Sequence, residues 1–266
     1  MKLFKSLKRP VTLALAAIMA ISLIPAASVS AKTKYKTVKD GGKKYIVFGS
    51  YEQDGDETNG KEPIEWEVLG KDKNGILVVS RYALDCQPYN KKGSDGTWKN
   101  CTLRKWLNKQ FYKTAFNANE QKKINTVNVK NADNPYYDTK GGDNTKDKLF
   151  CLSVDEIMAH YSCDRYFDSK YYGYYQSLIL LPTAYAKKRG VATTTIEEAN
   201  YKLFYIDYGY TSDCVGIESC YWWLRTPGRN GDYVCRVIYE GIAGAGTDNV
   251  VDMDFFGVRP AMYLKK

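Results

Sequence analysis

Histidine is almost missing from this sequence: there is one, His160, in 266 residues. With no nucleophile at readable spacing, a lone imidazole lacks the partners that acid–base or nucleophilic catalysis requires, so His160 reads as structural. No Pro/Ser-rich linker divides the chain, and no repeat recurs at about twenty to fifty residues. Lysines are scattered among acids rather than gathered into a stripe, which argues against nucleic-acid binding. Long apolar runs are also lacking. The longest, Val11 to Ile24, falls short of the roughly 20 residues of a membrane span and is closed by Pro25. No cysteine follows it, so no lipid anchor is expected there.

What stands at the start instead is a charged segment (Lys2, Lys5, Lys8, Arg9), the short apolar stretch and the small residues Val29-Ser30-Ala31. That order predicts a secretory signal peptide over 1–31, and hence a secreted or wall-associated, extracellular protein without membrane insertion after cleavage. Removal of four basic residues leaves 35 basic against 30 acidic ones, a charge of +5 rather than the +9 of the whole chain. A moderate positive balance favours solubility and loose attraction to anionic wall polymers. A basic lead-in is expected over 32–43 and a single domain over 44–266. Seven cysteines (86, 101, 151, 163, 214, 220, 235) leave at least one thiol outside any internal pairing. Cys214 and Cys220, the pair closest in sequence, are the candidate disulfide.

Periodicity supplies the elements. In Ile64-Glu-Trp-Glu-Val68 the apolar residues share one face and Glu65 and Glu67 the other, a strand by strict alternation. Lys73-Asn74-Gly75 turns it into Ile76 to Val79. Thr102 to Phe116 predicts the main helix, with Leu103, Trp106, Leu107, Gln110, Phe111 and Ala115 inward and Arg104, Lys105, Asn108 and Lys109 outward. Capping-box spacing starts short helices at Asn117 and Ser153, and a brief helix is expected over Pro182 to Arg189. The last fifty residues read as strands around glycine turns, with Pro260 forcing a bend or an edge. Strands, helices, a loop-rich middle and strands again predict an α+β fold.

Several segments in one order carry a resemblance: Phe48-Gly-Ser50, Pro63-Ile-Glu-Trp66, Leu103-Arg-Lys-Trp-Leu-Asn108, Pro182-Thr-Ala-Tyr-Ala186, Trp222-Trp-Leu-Arg-Thr-Pro-Gly228 and Gly257-Val-Arg-Pro-Ala261. From about residue 45 to 264 the chain resembles an uncharacterised bacterial domain-of-unknown-function family of exported proteins. That family is more distantly similar to the formylglycine-generating-enzyme branch of the C-type-lectin-like fold. The resemblance implies mixed antiparallel sheets whose N- and C-terminal strands meet, two main flanking helices, and long loops that display a ligand surface. It also implies two cofactor chemistries to weigh. Copper bound by a cysteine pair near the C-terminal segment finds only Cys235 between Trp222-Trp-Leu-Arg225 and Gly257. Calcium finds no Glu-Pro-Asn or Trp-Asn-Asp triplet, and Asp54-Gly-Asp-Glu57, where Gly60 is one place late for an EF-hand, reads as a solvated loop. No cofactor is expected, with calcium the alternative.

On a strand over Tyr221 to Arg225, Trp222 and Leu224 share a face and go to the core with Trp66 and Trp106. Tyr221, Trp223 and Arg225 share the other. An arginine beside an indole makes a platform for sugar rings or peptide side chains, so these three are the candidate ligand-binding residues. The competing reading packs them beneath the loops with Arg225 on a buried carboxylate. Arg259 is assigned as an internal ion-pair anchor. The expected function is an exported, non-catalytic module presenting a tyrosine-rich loop surface to extracellular glycan or protein. The alternatives are an oxidase-type enzyme and a structural piece of a surface assembly, and oligomeric state is left open.

Overall fold

The structure, a computed structural model, describes residues 34–91, 96–161, 171–174, 176–197, 212–244 and 251–266. The expected signal segment, Cys163 and the tyrosines of 201–210 lie outside the described residues. Contacts gather Thr33–Lys266 into one unit.

Alternating segments near the start and the last strand of the chain build the first sheet. Strands β1 (Lys36–Asp40), β2 (Lys43–Tyr51), β3 (Glu62–Asp72) and β4 (Gly75–Ser80) form an antiparallel meander. With β6 (Leu149–Phe150) and β12 (Ala261–Leu264), the order is β1-β2-β3-β4-β12-β6. Within the expected lead-in, residues 36–40 form the edge strand β1, and exposed charge on an edge discourages pairing with other chains. A second sheet has the order β5-β11-β8-β9-β10-β7, from β5 (Asp85–Cys86), β7 (Tyr171–Tyr174), β8 (Trp222–Pro227), β9 (Val234–Val237), β10 (Ile242–Gly244) and β11 (Gly257–Val258). Its β8–β11 pair is parallel and its other pairs are antiparallel.

The two sheets share one pair of chain segments. β4 runs on into β5 while β11 runs on into β12, so the pairing β4–β12 in the first sheet continues as β5–β11 in the second. Arg259 and Pro260 sit at the crossing. The proline, which has no amide donor, accepts from Ser80 N at 2.9 Å, so the bend expected at Pro260 is a switch of sheets. Arg259 donates to Ser80 O at 3.1 Å and to Glu67 Oε2 at 3.2 Å. Glu67, which shares with Glu65 the face opposite Ile64 and Trp66, is buried because this arginine arrives from the other end of the chain.

The helical run 102–115 has an irregular middle. α1 (Thr102–Trp106) and α2 (Tyr112–Ala115) flank a π turn, Leu107–Phe111. Its buried residues are Leu103, Leu107, Phe111 and Ala115, each four apart. At about 100° per residue, twelve residues of ideal helix leave the last roughly 120° off the face of the first. A π turn reaches back five residues instead of four and absorbs about one residue of that drift, so all four reach the same core. Asn108 fixes the turn: its Oδ1 accepts from Lys148 N at 2.9 Å and its Nδ2 donates to Leu149 O at 2.8 Å. Gln110, expected inward, is exposed.

Both capping boxes form. Asn117 with Glu120 starts α3 (Ala118–Gln121), and Ser153 with Glu156 starts α4 (Val154–His160). α5 (Ala184–Lys188) is capped by Thr183, so Pro182 lies just ahead of it rather than in its first turn. Gly49, at the register shift of β2, shows where the backbone requires glycine. Its φ is 72°, and a Cβ there would stand 2.6 Å from the Phe116 ring and 2.7 Å from Ala115 O. Gly49→Ala is expected to cost about 2 kcal/mol or more, from the left-handed backbone and the clash together, read as a lower denaturation midpoint with unchanged m-value.

Candidate functional site

The expected ligand platform is a buried junction. β8 has both edges paired, to β9 and β11, and is buried on both faces, with Phe256 and Tyr89 packed over Trp223. Trp223 is fully buried; its ring lies 4.1 Å from Phe256 and 5.8 Å from Tyr89, and its indole donates to Gln87 O at 2.9 Å. Arg225, 4% exposed, holds Glu156 in a two-point pair at 2.5 and 2.7 Å and donates to the carbonyls of Cys151 and Lys130. Burial works against its charge, but the Glu156 carboxylate more than offsets this and raises its pKa. Tyr221 is half-buried and stacks on Phe256 at 5.2 Å. The ligand-binding assignment of Tyr221, Trp223 and Arg225 is thus corrected to the competing reading: Trp223 and Arg225 do not reach solvent, and Arg225 pairs with the Glu156 carboxylate. Trp66, Trp222 and Leu224 are fully buried, and Arg259 faces the Trp222 ring at 4.9 Å.

The described cysteines are buried thiols. Cys214 packs beside Ile196 in a small satellite cluster, whereas Cys220 belongs to the main core, so the two are not joined. Burial pushes the thiols of Cys86 and Cys101 up to about 12, each with smaller contributions from neighbours. Cys235, the thiol nearest the expected copper position, donates to Pro227 O at 3.2 Å.

The acidic loop brings Glu52, Asp54 and Glu62 together, their carboxylate oxygens all within 4.8 Å. Loop donors already occupy them: Gly55 N on Glu52, Asp56 N and Asn59 Nδ2 on Asp54, and Gln53 N and Asp54 N on Glu62. Desolvation, Asp54 and Glu62 hold the Glu52 carboxyl above the usual range, while hydrogen bonds from Asn59 and Asp56 hold Asp54 below it. These acids staple the loop, each accepting hydrogen bonds from its backbone or side chains. Beside them lies a depression of about 500 Å³ lined by Gln53, Glu65, Arg81 and Tyr82. Its charges are likewise spent on each other, Arg81 pairing with Glu65 at 2.7 Å and with Asp40.

One tryptophan differs from the rest. Trp66, Trp98, Trp222 and Trp223 are fully buried, and each indole N–H has an acceptor: Phe48 O, Asp147 Oδ2, Leu178 O and Gln87 O, at 2.7 to 3.2 Å. Trp106 is only half-buried. One side leans on Phe111 at 5.4 Å, and its N–H has no partner among the described residues. It lines a cleft of about 270 Å³ between the 87–91 segment and the helical run, with Gln87, Lys91, Lys105, Lys109 and Gln110 around it. An open indole with an unanswered donor, rimmed by amides and ammonium groups, can stack on a flat apolar ring face and hydrogen-bond its edge. The assignment of Trp106 to the core is corrected to a position half in it. The wall of the cleft is held from beneath, since Gln87 O takes the Trp223 indole and Thr102 Oγ1 takes Lys91 N at 3.0 Å.

A family model described as a domain of unknown function, DUF6273, matches residues 73–266. The match leaves out β1, β2 and all of β3, although the resemblance was expected from about residue 45. No curated protein matches the chain, and no solved structure does.

Proposed function

The chain belongs to the DUF6273 family, and on that premise we propose that it is an exported, non-catalytic binding module with a C-type-lectin-like fold that recognises extracellular glycan. Supporting the fold reading are two mostly antiparallel sheets with few helices, and first and last strands that lie in one sheet, where Tyr35 Oη donates to Lys265 O at 2.9 Å. No helix among the described residues is long and apolar enough to cross a membrane. Kinship with the formylglycine-generating enzymes would be one of fold, since Cys235 stands alone between Trp222-Trp-Leu-Arg225 and Gly257 where their copper chemistry needs a cysteine pair.

The observation that carries the binding reading is the open Trp106 ring. Four indoles are sealed with their N–H groups satisfied, and the fifth faces a small cleft with donors and acceptors at its rim. The tyrosine-rich surface first expected lies largely outside the described residues, so the Trp106 cleft is the contact the argument rests on. A saccharide suits it better than a protein surface, because a cleft of this size takes one ring or two.

The test is tryptophan fluorescence with a polysaccharide panel. Trp106, the half-exposed indole, should report ligand by protection from a water-soluble quencher. Trp106→Ala should weaken binding at least about tenfold, a loss of roughly 1.4 kcal/mol, with the far-ultraviolet dichroism unchanged. Equal affinity of Trp106→Ala and the parent would remove this cleft from the function.

A further inference from the structure

We propose that the Trp106 cleft selects sugars that carry an anionic group, so that the ligand is an acidic polysaccharide rather than a neutral one. This rests on the glycan reading and adds its charge. No Asp or Glu lines the cleft, whereas Lys91, Lys105 and Lys109 all do. The three lysines are exposed, and none of their ammonium groups has a carboxylate partner among the described residues.

The lysines are also placed at a cost. Lys105 and Lys109 stand four apart on one helical run, where like charges repel and weaken the helix. A mere surface lysine gains nothing there, but a pair that closes on one anion does. The π turn supplies the second, independent observation, for such turns are frequent at functional sites. Leu107–Phe111 places Lys109 and Gln110 on the cleft while keeping Leu107 and Phe111 in the core. A sugar ring lying on Trp106 would thus have its carboxylate or phosphate met by ammonium groups and its hydroxyls met by Gln87 and Gln110. An ammonium is a compact point charge that suits either anion.

The experiment titrates the purified chain with polygalacturonate, a phosphomannan, neutral dextran and a thymidine oligonucleotide, each at low salt and at about 0.5 M salt. Acidic polymers should bind at least about tenfold tighter than dextran at low salt, with most of that margin lost at high salt, where screening acts over only a few ångströms. The arms with carboxylate and phosphate polymers identify which anion is preferred. Lys105→Gln with Lys109→Gln should abolish the preference, bringing the acidic polymers down to the affinity of dextran for the same variant; both side chains are exposed, so folding is not at stake. Dextran binding as tightly as the acidic polymers, unaffected by the double change, would overturn the anionic preference and leave the glycan reading standing. No polysaccharide binding at all would overturn both. An oligonucleotide that outcompetes every polysaccharide would overturn the sugar in favour of nucleic acid.

Discussion

Arg225→Met should lower the free energy of unfolding by about 3 kcal/mol, the lower end of the range for breaking a buried ion pair. The lower end applies because the Glu156 side chain keeps 27% of its surface open, while that of Arg225 keeps 3%. Three losses combine. The guanidinium no longer meets the Cys151 and Lys130 carbonyls, so acceptors from two separate segments are left short of a donor. The Glu156 carboxylate loses its two-point partner. Glu156 also closes the capping box of α4 by accepting from Ser153 N at 3.0 Å, so the start of that helix feels the change. The double variant Arg225→Met with Glu156→Leu should recover part of the loss, because two apolar side chains need no partner. Denaturant unfolding of both singles and the double measures this. A single-variant cost below about 1 kcal/mol, the value of an exposed pair, would mean that Arg225 faces water after all.

The contrast between Arg225 and Trp106 shows what periodicity can and cannot convey. Alternation in Ile64 to Val68 located β3 correctly, and S-x-x-E and N-x-x-E spacing located two helix starts, because these signals are local. Glu67 and Trp223 were misplaced for one reason. Alternation assumes a wet face, and neither strand has one where they sit: Arg259 arrives over Glu67 from the far end of the chain, and Phe256 and Tyr89 cover Trp223. Contacts between residues some thirty to two hundred positions apart leave no mark in a window of about ten.

Trp106 was misplaced for the opposite reason, since its signal was present. Leu103, Leu107, Phe111 and Ala115 recur every four residues, and a helix that buries that set leaves position 106 at the margin. Reading the run with an ideal period of 3.6 hid this, because that period admits Trp106 and Gln110 to the core face. The flanking Lys105 and Lys109 were the second clue. The disulfide expectation failed differently: closeness in sequence does not fix direction, and Cys214 and Cys220 face separate clusters.

For Trp223→Ala the expected loss is about 3 to 5 kcal/mol, the range for removing a large aromatic from a packed core. The ring contacts Phe256, Tyr89 and the underside of the 87–91 segment, and a cavity there cannot close without moving β8, which is held on both sides by strands. Trp223→Phe separates packing from hydrogen bonding. It keeps an aromatic ring but leaves Gln87 O without its indole donor, at a cost of about 1 to 3 kcal/mol. The two variants also connect core to cleft, because Gln87 lies on the wall beside Trp106. Amide exchange over 84–91 should quicken in Trp223→Phe even where the global unfolding free energy is nearly kept, as the wall loses its tether. A ligand platform would behave in reverse, giving weaker binding with an unchanged denaturation midpoint. That outcome would restore Trp223 to the surface and undo the argument that sealed indoles distinguish Trp106.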